Sequence, residues 1–156
     1  MAHSHKYFFW ALSRFKTVGR LMGMKRKRDS IWIWMAALVL IHFVVTIVHG
    51  TAHAKANVPL SPAANVFVIG VILAGPLVGL ALTWWAERLG AWIVGLTMGG
   101  SLVFGFLNHF VFNSPDHILQ VDPQWRSLFT VTAVLLAFTE ALGFGLGIRL
   151  ARRESK

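Results

Sequence analysis

This chain of 156 residues predicts an all-α integral membrane protein: a four-helix transmembrane bundle preceded by an N-terminal basic amphipathic interfacial helix. Three observations predict it. Hydrophobic side chains make up 56% of the chain and charged ones 13%, with mean hydropathy +0.61, well outside the composition of an ordinary soluble domain. Four apolar runs, 31–50, 64–84, 91–112 and 128–148, each approach the ~20 residues that a helix needs to cross a bilayer. The 15 lysines and arginines are spread unevenly around those runs.

The organisation that follows is a cytoplasmic basic segment over 1–30, a transmembrane domain over 31–150 and a short basic tail over 151–156. In the first segment Tyr7, Phe8, Phe9, Trp10, Leu12, Phe15, Val18, Leu21 and Met22 interleave with basic residues and run into Lys25-Arg26-Lys27-Arg28. At helical spacing this reads as an amphipathic helix lying on anionic lipid, followed by a polybasic anchor. Basic residues near span ends stay cytoplasmic. Those before the first run, Arg88 between the second and third, and Arg149, Arg152, Arg153 and Lys156 after the fourth outnumber Lys55 and Arg126 on the opposite side. Both termini are therefore expected in the cytoplasm. Trp32, Trp34, Trp84, Trp85 and Trp92 fall at the same ends, as an aromatic belt would. The orientation rule accounts for the positive charge, so nucleic-acid binding is not expected. The small residues at 51–56 suggest a cleavage site, but an n-region of about 30 residues before an apolar run of about 20 is too long for a cleaved signal peptide.

The spans carry their own packing signals. Gly75 and Gly79, Gly95 and Gly99, and Gly143 and Gly147 repeat at four-residue spacing, which lets backbones approach closely, here between helices of one chain. Pro76 should kink the second span, because it removes a backbone donor and crowds the preceding turn.

Ionisable groups within spans are costly and by default mark a functional site. On the first span His42, Thr46, His49 and His53 follow one helical stripe. Counting from span centres at ~1.5 Å per residue puts His42 about 2 Å to the outer side of the midplane and Glu140 about 3 Å to the inner side. The two are expected to touch, directly or through a water or metal, and to handle a proton in catalysis. The same count puts His49 about 13 Å and His109 about 11 Å out, again at one level. Beyond them Ser114 is expected to cap a short helix starting at Pro115, folding Asp116 and His117 over the bundle mouth.

With 0 cysteines, thiolate chemistry and iron–sulfur clusters are excluded. Imidazole and carboxylate ligands suit zinc, iron or copper. The preferred reading is one transition metal held by His49, His109 and either His53 or His117, with Asp116 as ligand or orienting partner, acting on a lipid-soluble substrate by catalysis or electron transfer. Three alternatives accompany it. One is a b-type haem clamped between His49 and His109. Another is a proton-coupled transporter using His42 and Glu140. The last is a non-catalytic subunit of a larger membrane complex or homo-oligomer.

Overall fold

The computed structural model describes residues 30–153. The expected amphipathic segment, its polybasic anchor and the last three residues of the tail lie outside them. The described residues form helices and no strand, with four helices long and apolar enough to cross a membrane: α1 (Ser30–Lys55), α2 (Pro62–Leu82), α3 (Glu87–Val111) and α4 (Pro123–Ala151).

Each helix sits on one of the four apolar runs, but the boundaries differ for a physical reason. Apolar runs mark the stretch that meets hydrocarbon, whereas caps lie in polar surroundings outside it. α1 continues past Gly50 to Lys55, which keeps His53 on the helical stripe. α2 starts at Pro62 because the Ser61 hydroxyl accepts from the Ala64 N–H at 3.1 Å and Pro62 occupies the first turn, where no donor is missed. α3 begins at Glu87, whose acidic side chain suits the positive helix end. α4 starts at Pro123, with the Asp122 carboxylate accepting from the Gln124 N–H at 2.7 Å.

α1 packs on α4, α4 on α3 and α3 on α2, while α1 meets α2 only sparingly. Small residues set the close approaches. A Cβ on Gly147 would lie 2.6 Å from the Gly95 nitrogen, and one on Gly90 would lie 2.5 Å from the Gly79 carbonyl oxygen. Gly143 faces Met98, Gly99 the Phe144 ring and Gly75 Thr97. The repeated glycines thus pack helices within the chain. In α2 a π-helical stretch, Val68–Ala74, precedes Pro76 and absorbs its disruption of the regular ladder.

The interior has three layers. Met35, Val39, Ala91, Val94, Met98, Leu150 and Ala151 form an apolar core at the end of the bundle that holds residues 30 and 153, hereafter the terminal end. Ala52, Val58, Val121 and Phe129 form a smaller core at the far end. Between them lies a buried polar belt containing His42, Thr46, His49, Ser101, His109, Thr132, Thr139 and Glu140. At the terminal end the Trp32 indole donates to Thr83 Oγ1 at 2.9 Å and meets Trp84 edge-on, while Trp34, Trp84 and Trp85 are exposed.

Candidate metal centre

Every polar group in the belt needs a partner, because no water reaches it from the lipid side.

His42 is 1% exposed. Pro76 has no N–H to return to the carbonyl of Ile72 four residues earlier. That carbonyl instead accepts from His42 Nε2 at 3.1 Å. The other ring nitrogen, Nδ1, has no hydrogen-bond partner and lies 4.0 Å from a Glu140 carboxylate oxygen. The expected approach of His42 and Glu140 is therefore found, at a separation just beyond a direct hydrogen bond.

Two turns further out, His49 and His109 face each other. The Thr132 hydroxyl hydrogen goes to a carbonyl of its own helix, Leu128 at 2.7 Å or Phe129 at 3.0 Å. Its oxygen is then left to accept from His49 Nδ1 at 2.8 Å. His109 Nδ1 contacts the backbone carbonyl of Asp116 at 3.1 Å, and since a carbonyl only accepts, that nitrogen also carries its hydrogen. When both rings are neutral, each turns an Nε2 lone pair to the other across 3.3 Å, a distance that a shared proton or a bound cation bridges. Two lone pairs held at that distance repel unless a cation or a proton lies between them.

His53 joins them. One ring nitrogen each from His49, His53 and His109 lies within 4.8 Å of the others. Asp116, 7% exposed, brings a carboxylate oxygen to 3.2 Å from His53 Nε2 and 3.3 Å from His109 Nδ1. The Phe129 ring lies against all three imidazoles, with centroid distances of 4.7, 4.8 and 5.2 Å to His49, His53 and His109. It limits their rotation.

Local backbone geometry aims these groups. α3 ends in a π-helical stretch, Leu107–Val111, that contains His109. One extra residue per turn rotates the side chains there relative to a regular helix, a device frequent at functional sites. The chain after it turns back, with the Ile118 N–H donating to the His109 carbonyl at 3.0 Å. The short helix expected from Ser114 and Pro115 is not formed. Residues 113–120 make successive turns, and Ser114 Oγ is buried without a partner. A regular helix there would spend the Asp116 carbonyl on its own ladder, whereas the turn leaves it for His109. His117, the other expected third ligand, is placed apart from the cluster and accepts the Leu119 N–H through Nδ1 at 3.2 Å.

Thr132 and Phe129 are not among the candidates that the sequence singles out. For Thr132 depth is the available signal: it lies eight residues outward of Glu140, about 12 Å at the helical rise, which brings it within one helical turn of the level of His49. Substituting Thr132→Val keeps the shape but removes the acceptor that fixes the His49 ring. It should weaken metal binding ~10–100-fold, the usual cost of losing a partner behind a ligating histidine. Thr132→Ser should restore it, which chelator competition on the purified variants measures.

The cluster lines a cavity of about 360 Å³ that reaches inward to Glu140, and the groups present match the preferences of a borderline transition metal. Comparison with protein-family models, curated proteins and solved structures finds no match for this chain.

Proposed function

We propose that this multi-pass membrane protein holds a single transition metal ion, zinc, iron or copper, on His49, His53 and His109, with Asp116 as fourth ligand or as the group that orients the rings. One observation carries the reading: a ring nitrogen each from His49, His53 and His109 lies within 4.8 Å of the others, with the Nε2 atoms of His49 and His109 3.3 Å apart. Tetrahedral bonds of ~2.0–2.1 Å put ligand nitrogens about 3.3–3.4 Å apart. A haem clamp fits less well, because the His49 and His109 rings already pack edge-on with centroids 4.9 Å apart and the Phe129 ring lies against both. The apolar core of Met35, Val39, Val94 and Met98 beyond Glu140 offers no onward polar path, which favours a bound centre over a transporter.

A metal here would supply Lewis-acid or electron-transfer chemistry to a lipid-soluble substrate. The residues of the chain do the rest. Phe129, Thr132 and Asp116 hold the rings, and Glu140 with His42 stands at the inner end of the cavity where a proton can be taken up or released. The basic residues outside the spans favour cytoplasmic termini and contact with anionic lipid, which would place the centre in the outer half of the bilayer. Assembly into a homo-oligomer or a larger complex is compatible with this arrangement.

Elemental analysis of detergent-purified protein, dialysed against a weak chelator, tests the reading. One equivalent of zinc, iron or copper per chain is expected. A preparation that retains no metal, and takes none up from added zinc, iron or copper salts, would refute it.

A further inference from the structure

The cavity beside the three histidines has an opening, and its position is informative. Gly50 and Ala54 of α1 and Asn65 of α2 line the cavity and are also exposed on the outside of the bundle. They border the slot where α1 and α2 barely meet. At Gly50 a Cβ would find nothing within 4 Å, so a missing side chain leaves the slot open. On the count that puts His49 about 13 Å from the midplane, Gly50 lies about 14 Å out at ~1.5 Å per residue, just inside the ~15 Å half-thickness of the hydrocarbon layer. The cavity therefore opens sideways into one leaflet, just below the headgroup region.

Its walls and size limit what can enter. Val68, Ile72, Phe104 and Leu136 give it apolar sides, and its acidic groups are Asp116 at the histidine end and Glu140 at the inner end. Among the described lining residues there is no lysine or arginine to balance a phosphate or carboxylate. A volume of about 360 Å³ holds on the order of a dozen non-hydrogen atoms at ~30 Å³ per water-sized group. That is a small head and the first part of one chain, with the remainder left in the bilayer through the slot.

We infer that the site takes a neutral single-chain lipid bearing an alcohol or carbonyl oxygen, which enters from the leaflet between α1 and α2 and presents that oxygen to the histidine cluster. The inference rests on the metal reading for what the oxygen meets, and on the slot alone for how the lipid arrives. Asp116 and Glu140 already set two carboxylates against a divalent ion in this cavity, so an anionic lipid would add buried negative charge with no cation left to offset it.

The test uses the full chain in lipid nanodiscs and a long-chain 1-alkanol carrying a diazirine near its hydroxyl end, with the matching fatty acid and a diazirine phospholipid alongside. On irradiation the alkanol should label Val68, Ile72, Phe104 or Leu136, and the two anionic or zwitterionic probes should not. Gly50→Trp should abolish that labelling while the metal content stays at the parental level, and Val68→Trp should act likewise from the opposite side of the slot. Labelling confined to outward residues such as Val44 and Ile47, equal labelling by the fatty acid, or cavity labelling that survives both tryptophan variants would overturn the proposal. Cavity labelling by the alkanol in a protein that binds no metal would uphold the lipid site and overturn the metal reading instead.

Discussion

His109→Ala should abolish stoichiometric metal binding, with the affinity falling by more than the ~100-fold upper range for losing a partner behind a ligand. His109 offers one of the two nitrogens at 3.3 Å and is the ring on which the Asp116 carbonyl and carboxylate both converge. Removing it deletes a ligand and frees the turn at 113–120 from its anchor. His117→Ala is the matched control, since that ring is occupied with the Leu119 N–H and should leave the metal stoichiometry unchanged. Isothermal titration of each variant with zinc separates the two results. Retained binding in His109→Ala, or loss of it in His117→Ala, would reassign the ligand set.

The second large effect concerns assembly of the bundle. Gly147→Leu must push α4 away from α3, because even its Cβ would sit 2.6 and 2.7 Å from the Gly95 backbone nitrogen and Cα. Overpacking typically costs ~1–3 kcal/mol where side chains can shift. Here the obstacle is backbone, so the expected result is failure to recover a folded monomer. Gly145→Leu, two residues away, meets nothing within 4 Å and replaces a poor helix former, so it should be neutral or stabilising by up to ~1 kcal/mol. Size-exclusion profiles and thermal unfolding in detergent distinguish the pair. Equal behaviour of the two variants would mean that α3 and α4 do not meet at Gly95 and Gly147.

Much of this arrangement is legible in the amino-acid sequence, for a simple reason. A helix that must cross a slab of fixed thickness converts residue number into depth, so counting matches His42 with Glu140 and His49 with His109. The helical stripe does the same for His53. Depth says nothing of rotation, however, and the final aim of His109 depends on a π-helical stretch whose residues, Leu107 to Val111, carry no signal of it. Thr132 and Phe129 do not stand out because threonine and phenylalanine are ordinary in apolar helices. Their roles appear only when the rings they touch are located.

Ser114 and Pro115 show where local rules mislead. They have the residue types of a helix start, yet the competing demand is tertiary, a carbonyl and a carboxylate from Asp116 that must reach His109 and His53. Ser61 and Asp122 have equally suitable residue types and do cap their helices, but they lie beyond the ends of the apolar runs, where hydropathy no longer marks a helix. What lies outside the reach of sequence altogether is the slot between α1 and α2, which exists because two neighbouring helices fail to pack.

X-ray absorption at the metal edge, recorded on the loaded protein in detergent, tests the central claim most directly. If three histidines hold the ion, a zinc-loaded sample shows a four-coordinate shell dominated by imidazole nitrogens at ~2.0–2.1 Å, with the multiple-scattering signature of about three histidines. A shell of six oxygens, or a spectrum with one imidazole or none, would contradict it.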